Sequence, residues 1–172
     1  MLGGDSLFEL RTSLQLAEQE RRGGISPRVS PLADVKDIGG LLQSAKFKML
    51  TVDVDDIVIM YPDIFALMTD IQHMGEGNAV LGREMGAVSR DVLMAAEGIY
   101  RELHGEEVGL EGVEEIANSG VELRGGKVLP ATFRLIYMIG WKEGPNQPKP
   151  LERGSGEVNI KNILERRNGG KK

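Results

Sequence analysis

Alternating apolar positions over residues 129–141 (LPATFRLIYMIGW) predict the central strand of the fold. One face of this strand should be buried along its whole length; it comprises Ala131, Phe133, Leu135, Tyr137, Ile139 and Trp141. The opposite face begins with Thr132 and Arg134 and becomes apolar at Ile136, as in a strand that enters the middle of a sheet. A single strand is not stable in water, so the segment requires neighbouring strands and covering helices.

The remaining pattern supplies four helices and a second strand. Ser6 and Glu9 have the spacing of a capping box at the start of a first helix, which should end at Gly23. Further helices are predicted to begin at Ser30-Pro31, at Pro62-Asp63 and at Ser89, and residues 48–60 are predicted to form a strand. Residues 1–2 read as the end of a preceding strand. The order is α/β, with too few strands for a closed domain, and resembles one flank of a larger sheet.

Composition narrows the class of protein. The 172 residues are 41% hydrophobic, enough for one core, and no apolar run approaches the roughly 20 residues of a membrane span. A net charge of −5 argues against a broad nucleic-acid surface, so nucleic acid is not an expected partner. Because cysteine is absent, disulfides and thiolate metal sites are excluded, which fits a reducing compartment.

The strongest candidate for a ligand site is the segment Gly3-Gly4-Asp5. Ligands of open α/β sheets bind beyond the carboxyl ends of the strands, and a glycine pair there lets a substrate approach the backbone before a helix begins. The alternative is a tight strand-to-helix turn in which Asp5 helps to cap the helix. The sequence leaves both interpretations open.

Other constellations favour structural roles. Asp53, Asp55 and Asp56 lack the glycine and distal glutamate of a calcium loop, so a solvated strand face is the better interpretation and no metal is expected. His73 and His104 have no neighbouring ligands in sequence and are interpreted as surface or helix-end residues. The glycines at 75, 77 and 82 follow a helix instead of a strand, which indicates a helix end and a loop and not a phosphate-binding loop.

A family resemblance rests on motifs that occur in one order along nearly the whole chain. They are residues 3–11 (GGDSLFELR), 41–47 (LLQSAKF), 52–55 (VDVD), 61–71 (YPDIFALMTDI), 74–78 (MGEGN), 130–142 (PATFRLIYMIGWK) and 153–155 (RGS). Together they closely resemble the C-terminal half of the mitochondrial complex I assembly factor that has a class I, S-adenosylmethionine-dependent methyltransferase fold. A more distant likeness, mainly in residues 61–75, is to the malonyl-carrier-protein methyltransferase of biotin synthesis.

The resemblance implies the C-terminal part of a Rossmann-like, seven-stranded sheet. Residues 1–2 would end strand five, residues 48–60 would be strand six, and residues 129–141 would be the antiparallel strand seven. Residues 1–142 would be this half of a methyltransferase-like domain, with an acidic insertion at 105–127, and residues 143–172 a Pro/Gly-rich and basic tail. The family acts on the matrix side of the inner mitochondrial membrane, peripheral to it at most, and is associated with hydroxylating an arginine of a complex I subunit.

By the same resemblance, Gly3, Gly4 and Asp5 would border the substrate opening and Arg11 would lie on the helix behind it. No motif in this chain corresponds to the family's site for S-adenosylmethionine. The cofactor is therefore expected in the full-length parent and not in this chain, which alone is expected to be inactive. Expected partners are a complex I subunit or another assembly factor, and self-association through the open sheet edge. The alternatives are an inactive, truncated interaction module and a small-molecule or carrier-protein carboxyl methyltransferase.

Overall fold

Helices and strands alternate much as the sequence pattern predicts. The computed structural model describes residues 1–81, 87–107 and 126–144, together with residues 153, 154 and 156. The elements of this part are α1 (Phe8–Arg22), α2 (Val35–Ser44), β1 (Phe47–Tyr61), α3 (Ile64–His73), α4 (Arg90–Leu103), β2 (Glu106–Glu107) and β3 (Lys127–Lys142). The chain divides into two units, Met1–Trp141 and Lys142–Lys172, and all these elements lie in the first unit except for the last residue of β3. The short strand β2 was not predicted.

The three strands form one sheet in the order β1-β3-β2. Strand β2 pairs antiparallel with β3, with Glu106 opposite Val128. Strand β1 also runs antiparallel to β3, because Arg134 contacts Asp56 whereas Gly140 lies beside Leu50, earlier in β1. The α/β class is confirmed as a mixed fold with a small antiparallel sheet. The seven-stranded sheet stays a proposal.

The first residues of the chain extend this sheet along β3. Leu2 forms an antiparallel bridge with Leu135, and the amide of Gly3 donates to the Arg134 carbonyl at 2.7 Å. The amide of Leu7 then donates to the Thr132 carbonyl, also at 2.7 Å. These bonds satisfy backbone groups that an edge strand would otherwise expose to solvent or to another chain.

The helix starts differ from two of the predictions. Ser6 and Glu9 do not form a capping box, because the N-cap of α1 is Leu7, in the left-handed conformation with φ 57° and no side-chain cap. Both side chains instead bond β3: the Ser6 hydroxyl accepts from the Arg134 amide at 2.9 Å, and the Glu9 carboxylate accepts from Thr132. Helix α2 begins at Val35 and not near Ser30, because Asp34 and the N3 residue supply a genuine capping box.

The core lies between helices α1, α3 and α4 and the first half of β3. Leu129 and Ala131 of β3 are fully buried and Phe133 is 5% exposed, as predicted for that face. The prediction was wrong for Tyr137 and Ile139, both 53% exposed, and for Trp141, which is 45% exposed. From Tyr137 to Lys142 no side chain of β3 is buried, whereas Ile136 is 1% exposed. The first half of β3 is therefore buried and the second half is exposed, although apolar residues continue along both halves.

The predicted acidic insertion falls mostly outside the described residues. Of residues 105–127, the structure describes 105–107 and 126–127, which contribute β2 and the start of β3. Most of the predicted tail at 143–172 also lies outside them. Neither segment boundary is tested by these observations.

Candidate functional site at the Gly3-Gly4-Asp5 turn

The two glycines lie where neighbouring chain segments approach closely. A Cβ atom on Gly3 would lie 2.8 Å from Cδ1 of Ile136, closer than side-chain atoms normally approach. The amide of Gly4 donates to the Ala33 carbonyl at 3.1 Å, which joins the turn to the segment before α2. Glycine at position 3 therefore allows the turn to lie flat on β3.

A charged cluster covers the outer side of this turn. The Arg134 guanidinium donates from Nε and Nη2 to the two carboxylate oxygens of Asp56, both at 2.7 Å. Its Nη1 contacts the carboxylate of Asp5. Arg134 thus links the turn to strand β1 by the fork geometry that guanidinium and carboxylate groups favour. The tight strand-to-helix turn of the alternative interpretation is present, because the Ser6 amide donates to the Gly3 carbonyl at 2.9 Å, but the Asp5 carboxylate contacts Arg134.

The charged groups of this cluster shift one another's pKa values. The hydrogen bond from Arg134 lowers the pKa of Asp56, and the hydrogen bond to Asp56 and the nearby charges of Asp5 and Asp34 raise the pKa of Arg134. Arg134 contacts two carboxylates, those of Asp5 and Asp56. The Asp5 side chain is 65% exposed, so its charge is available to a positively charged ligand at the surface.

Arg11 reaches the same turn from helix α1. Its Nη1 and Nη2 donate to the Gly4 carbonyl at 3.4 Å each. The side chain also lines a cavity of about 270 Å³ with Leu14, Val29 and Val80. The structure therefore brings Gly3, Gly4, Asp5 and Arg11 together at one place, and their role in substrate binding stays a prediction.

Two members of the cluster were not foreseen from the sequence. Asp56 appeared only as part of an acidic run, and Arg134 only as the polar side of a predicted strand. Their pairing depends on the register between β1 and β3, which lie 78 positions apart at these residues. The alternation of apolar residues breaks at Asp55-Asp56, but this local signal does not identify Arg134 as the partner.

The other candidate residues have structural roles in the described part of the chain. No group of three or more His, Asp or Glu residues there could hold a metal ion. His104 ends helix α4, where its Nε2 lies 3.2 Å from the Thr12 hydroxyl and its ring contacts Phe8 edge-on. His73 is the last residue of α3. No described helix is long and apolar enough to cross a membrane.

The Gly75-Glu76-Gly77 turn does not fit S-adenosylmethionine. A Rossmann-type site needs a glycine-rich turn between a strand and a helix, so that amides at the helix start face the ligand. Gly75-Glu76-Gly77 instead follows the end of α3, and Gly75 adopts a φ of 77° typical of a helix C-terminus. The amide of Glu76 is already bonded to the Ile71 carbonyl at 3.1 Å. This turn is a helix end and not a cofactor cradle.

Known proteins share extensive sequence with the chain. It is 43% identical over 163 residues to the zebrafish (Danio rerio) protein named arginine-hydroxylase NDUFAF5, mitochondrial, a match that covers 95% of this chain and 45% of the relative. It is 45% identical over 160 residues to the human (Homo sapiens) protein of that name, covering 93% of this chain and 41% of the relative. A malonyl-[acyl-carrier protein] O-methyltransferase of Nitrosospira multiformis is 29% identical over 143 residues, 83% of this chain and 38% of that protein.

These relationships, together with the mixed α/β architecture, define a methyltransferase-related protein. Within that class, the chain belongs to the family of the mitochondrial arginine hydroxylases named NDUFAF5. The relatives' designation supports a mitochondrial location. The chain spans less than half the length of these relatives. No protein-family model matches the chain, and no solved structure matches it.

Proposed function

We propose that the chain supplies the C-terminal, substrate-side half of an enzyme that hydroxylates an arginine of a complex I subunit in the mitochondrial matrix. The observation that carries this proposal is the identity of 43–45% with proteins named as arginine hydroxylases, over 93–95% of the chain. The enzyme would act at the inner membrane and be peripheral to it. S-adenosylmethionine would belong to the other half of the fold, because no motif of this chain corresponds to the family's cofactor site and the Gly75-Glu76-Gly77 turn is a helix end.

The exposed apolar faces of the sheet support the proposal that this chain forms one half of a larger fold. Strand β1 exposes apolar side chains on both of its faces, with Val58 51% and Ile59 40% exposed, and Tyr137 on the neighbouring β3 is 53% exposed. Contiguous apolar surface of this kind normally lies against other protein. In a Rossmann-like sheet of seven strands, additional strands and helices would cover it. The extra length of the relatives provides polypeptide for such a covering layer.

Within that enzyme, the Gly3-Gly4-Asp5 turn would border the substrate opening. The exposed Asp5 carboxylate would attract a positively charged substrate segment to this opening. Arg134 and Asp56 would hold the turn in place through β1 and β3. Arg11 would support the turn from behind through its bonds to the Gly4 carbonyl.

A chimera tests this function. The segment of the human relative that matches this chain would be replaced by the present 172 residues, and the chimera expressed in human cells that lack that relative. Mass spectrometry of complex I subunits should find one oxygen atom added to an arginine, and native electrophoresis should show restored complex I. The unmatched part of the human relative, expressed without this chain, is the control and should give neither result.

Other outcomes separate the alternatives. An added methyl group in place of oxygen would show methyl transfer as the reaction. Restored complex I with unmodified arginines would favour an interaction module, for which the exposed β1 edge is the specific supporting observation. Methylation of a malonyl-carrier protein by the chimera would instead favour the carboxyl methyltransferase activity. Loss of both complex I and arginine modification would refute the proposal.

A further inference from the structure

A second cleft, of about 300 Å³, lies between helix α1, the end of helix α3 and the loop at residues 28–30. Its apolar wall includes Leu7, Leu10 and Ile71, which are at most 9% exposed. Its outer rim includes the polar side chains of Gln72 and Glu76. An apolar interior with a few polar groups at the mouth is the usual composition of a small-ligand site, and this volume suits one side chain or one small molecule.

Two of the described residues that line the cleft carry a charge, Arg28 and Glu76. Arg28, also at its edge, is neutralised from within the fold, because its Nε donates to the carboxylate of the buried Glu18 at 2.6 Å. Ser30 and Asn78 bond to one another at 3.4 Å, and Asn78 also accepts from the Val80 amide. Glu76 is exposed, and no described residue forms an ion pair with it. Among the described residues at the mouth of the cleft, Glu76 is therefore the charged side chain that forms no ion pair with another described residue.

This cleft adjoins the candidate site along the chain and in space. Leu7, on its wall, directly follows the segment Gly3-Gly4-Asp5-Ser6, and its amide donates to the Thr132 carbonyl of β3. Leu14 lines both this cleft and the cavity that contains Arg11. A substrate polypeptide that passes the Asp5 carboxylate would therefore be able to place one of its side chains in the cleft beside α1.

We propose that the cleft receives the side chain of the substrate arginine, an inference that rests on the proposed function. The methylene stem would pack on Leu7, Leu10 and Ile71, and the guanidinium would reach the carboxylate of Glu76. Arginine combines an apolar stem with a planar cationic head, which matches an apolar wall with a carboxylate at its mouth. A neutral or acidic side chain would leave Glu76 without a counter-charge.

The first test is a titration of the isotopically labelled full chain, followed by nuclear magnetic resonance. The probes are a blocked three-residue peptide with a central arginine and the same peptide with citrulline, which has nearly the same shape but no charge. The arginine peptide should bind about two- to five-fold more tightly, as expected for an exposed ion pair. Amide shifts should be confined to the cleft around Leu10 and Ile71.

Matched variants connect this preference to one carboxylate. Glu76→Gln should remove the preference for arginine, whereas Glu102→Gln, at an exposed glutamate of helix α4, should retain it. Equal affinity for the two peptides in the wild-type chain, or no binding of either to a chain with the dispersed spectrum of a folded protein, would overturn the proposal. So would a preference that survives Glu76→Gln.

The chimera separates failure of the cleft from failure of the function. If it hydroxylates arginine, Glu76→Gln should raise KM about two- to five-fold with little change in kcat. An unchanged KM would refute the cleft as the arginine site while leaving the hydroxylase function intact. An inactive chimera together with a peptide preference carried by Glu76 would support the cleft as a guanidinium site and refute the function.

Discussion

The Tyr100 hydroxyl fastens helix α4 to strand β3, and its removal gives a quantitative test of the fold. The side chain is fully buried, and its hydroxyl donates to the Pro130 carbonyl at 2.7 Å. Tyr100→Phe keeps the ring and removes only this hydrogen bond. Because a buried carbonyl is left with one partner fewer, the variant should be less stable than the wild type by about 1–2 kcal/mol at neutral pH.

The same substitution should have a distinctive pH dependence. Burial, and after it the charge of Glu9, raises the pKa of Tyr100 well above its ordinary value. The unfolded chain therefore loses the tyrosine proton first, at about pH 10, and the wild type loses stability above that pH whereas the Phe variant has no such proton to lose. The advantage of the wild type should fall by about 1.4 kcal/mol per pH unit and vanish near pH 11.

Urea unfolding followed by circular dichroism measures both effects. Tyr137→Phe is the matched control, because Tyr137 is 53% exposed and its loss should change stability by less than about 0.5 kcal/mol at every pH. Two protein concentrations would separate folding from self-association. A cost below about 0.5 kcal/mol for Tyr100→Phe, or a cost that stays constant from pH 9 to 11, would refute the reasoning.

Three further substitutions test the turn, the cluster and the core. Gly3→Ala should lower stability by about 1–3 kcal/mol, since its Cβ would meet a β3 side chain at 2.8 Å. Gly4→Ala is the control and should be tolerated, because the nearest atom to its Cβ would be 3.5 Å away. Equal Tm values for the two variants would contradict this. Because the pKa of Asp56 is lowered in the folded state, its carboxylate stabilises the fold above about pH 4, and this contribution is lost as the pH falls. In urea titrations between pH 5 and 3, Asp56→Asn should therefore lose less stability than the wild type or the control Asp55→Asn. Leu129→Ala should cost about 2–5 kcal/mol in urea unfolding because the side chain is fully buried, and a loss below 1 kcal/mol would place it outside the core.

Local sequence signals predicted the ends of helices correctly where the residue concerned caps the helix and has no distant partner. Asp63 begins α3 as its N-cap, and its carboxylate accepts from the Ala66 amide at 2.8 Å, as expected from the residues around Pro62. Gly23 ends α1 with a φ of 69°, which glycine adopts readily. Ser6 and Glu9 had the correct spacing for a capping box, but both side chains form hydrogen bonds with β3 instead. A local motif does not reveal such distant competition.

The sequence by itself determined the order of the helices and of the two long strands, the apolar character of β3 and the family to which the chain belongs. These properties depend on neighbouring residues or on motifs read in order. Only the tertiary structure decided which half of β3 is buried, because Leu129, Ala131 and Phe133 belong to the core with residues of α1, α3 and α4, whereas Tyr137, Ile139 and Trp141 are exposed. It also decided that Asp5, Asp56 and Arg134 form one cluster, since the register that joins them is set by packing between segments up to 129 positions apart.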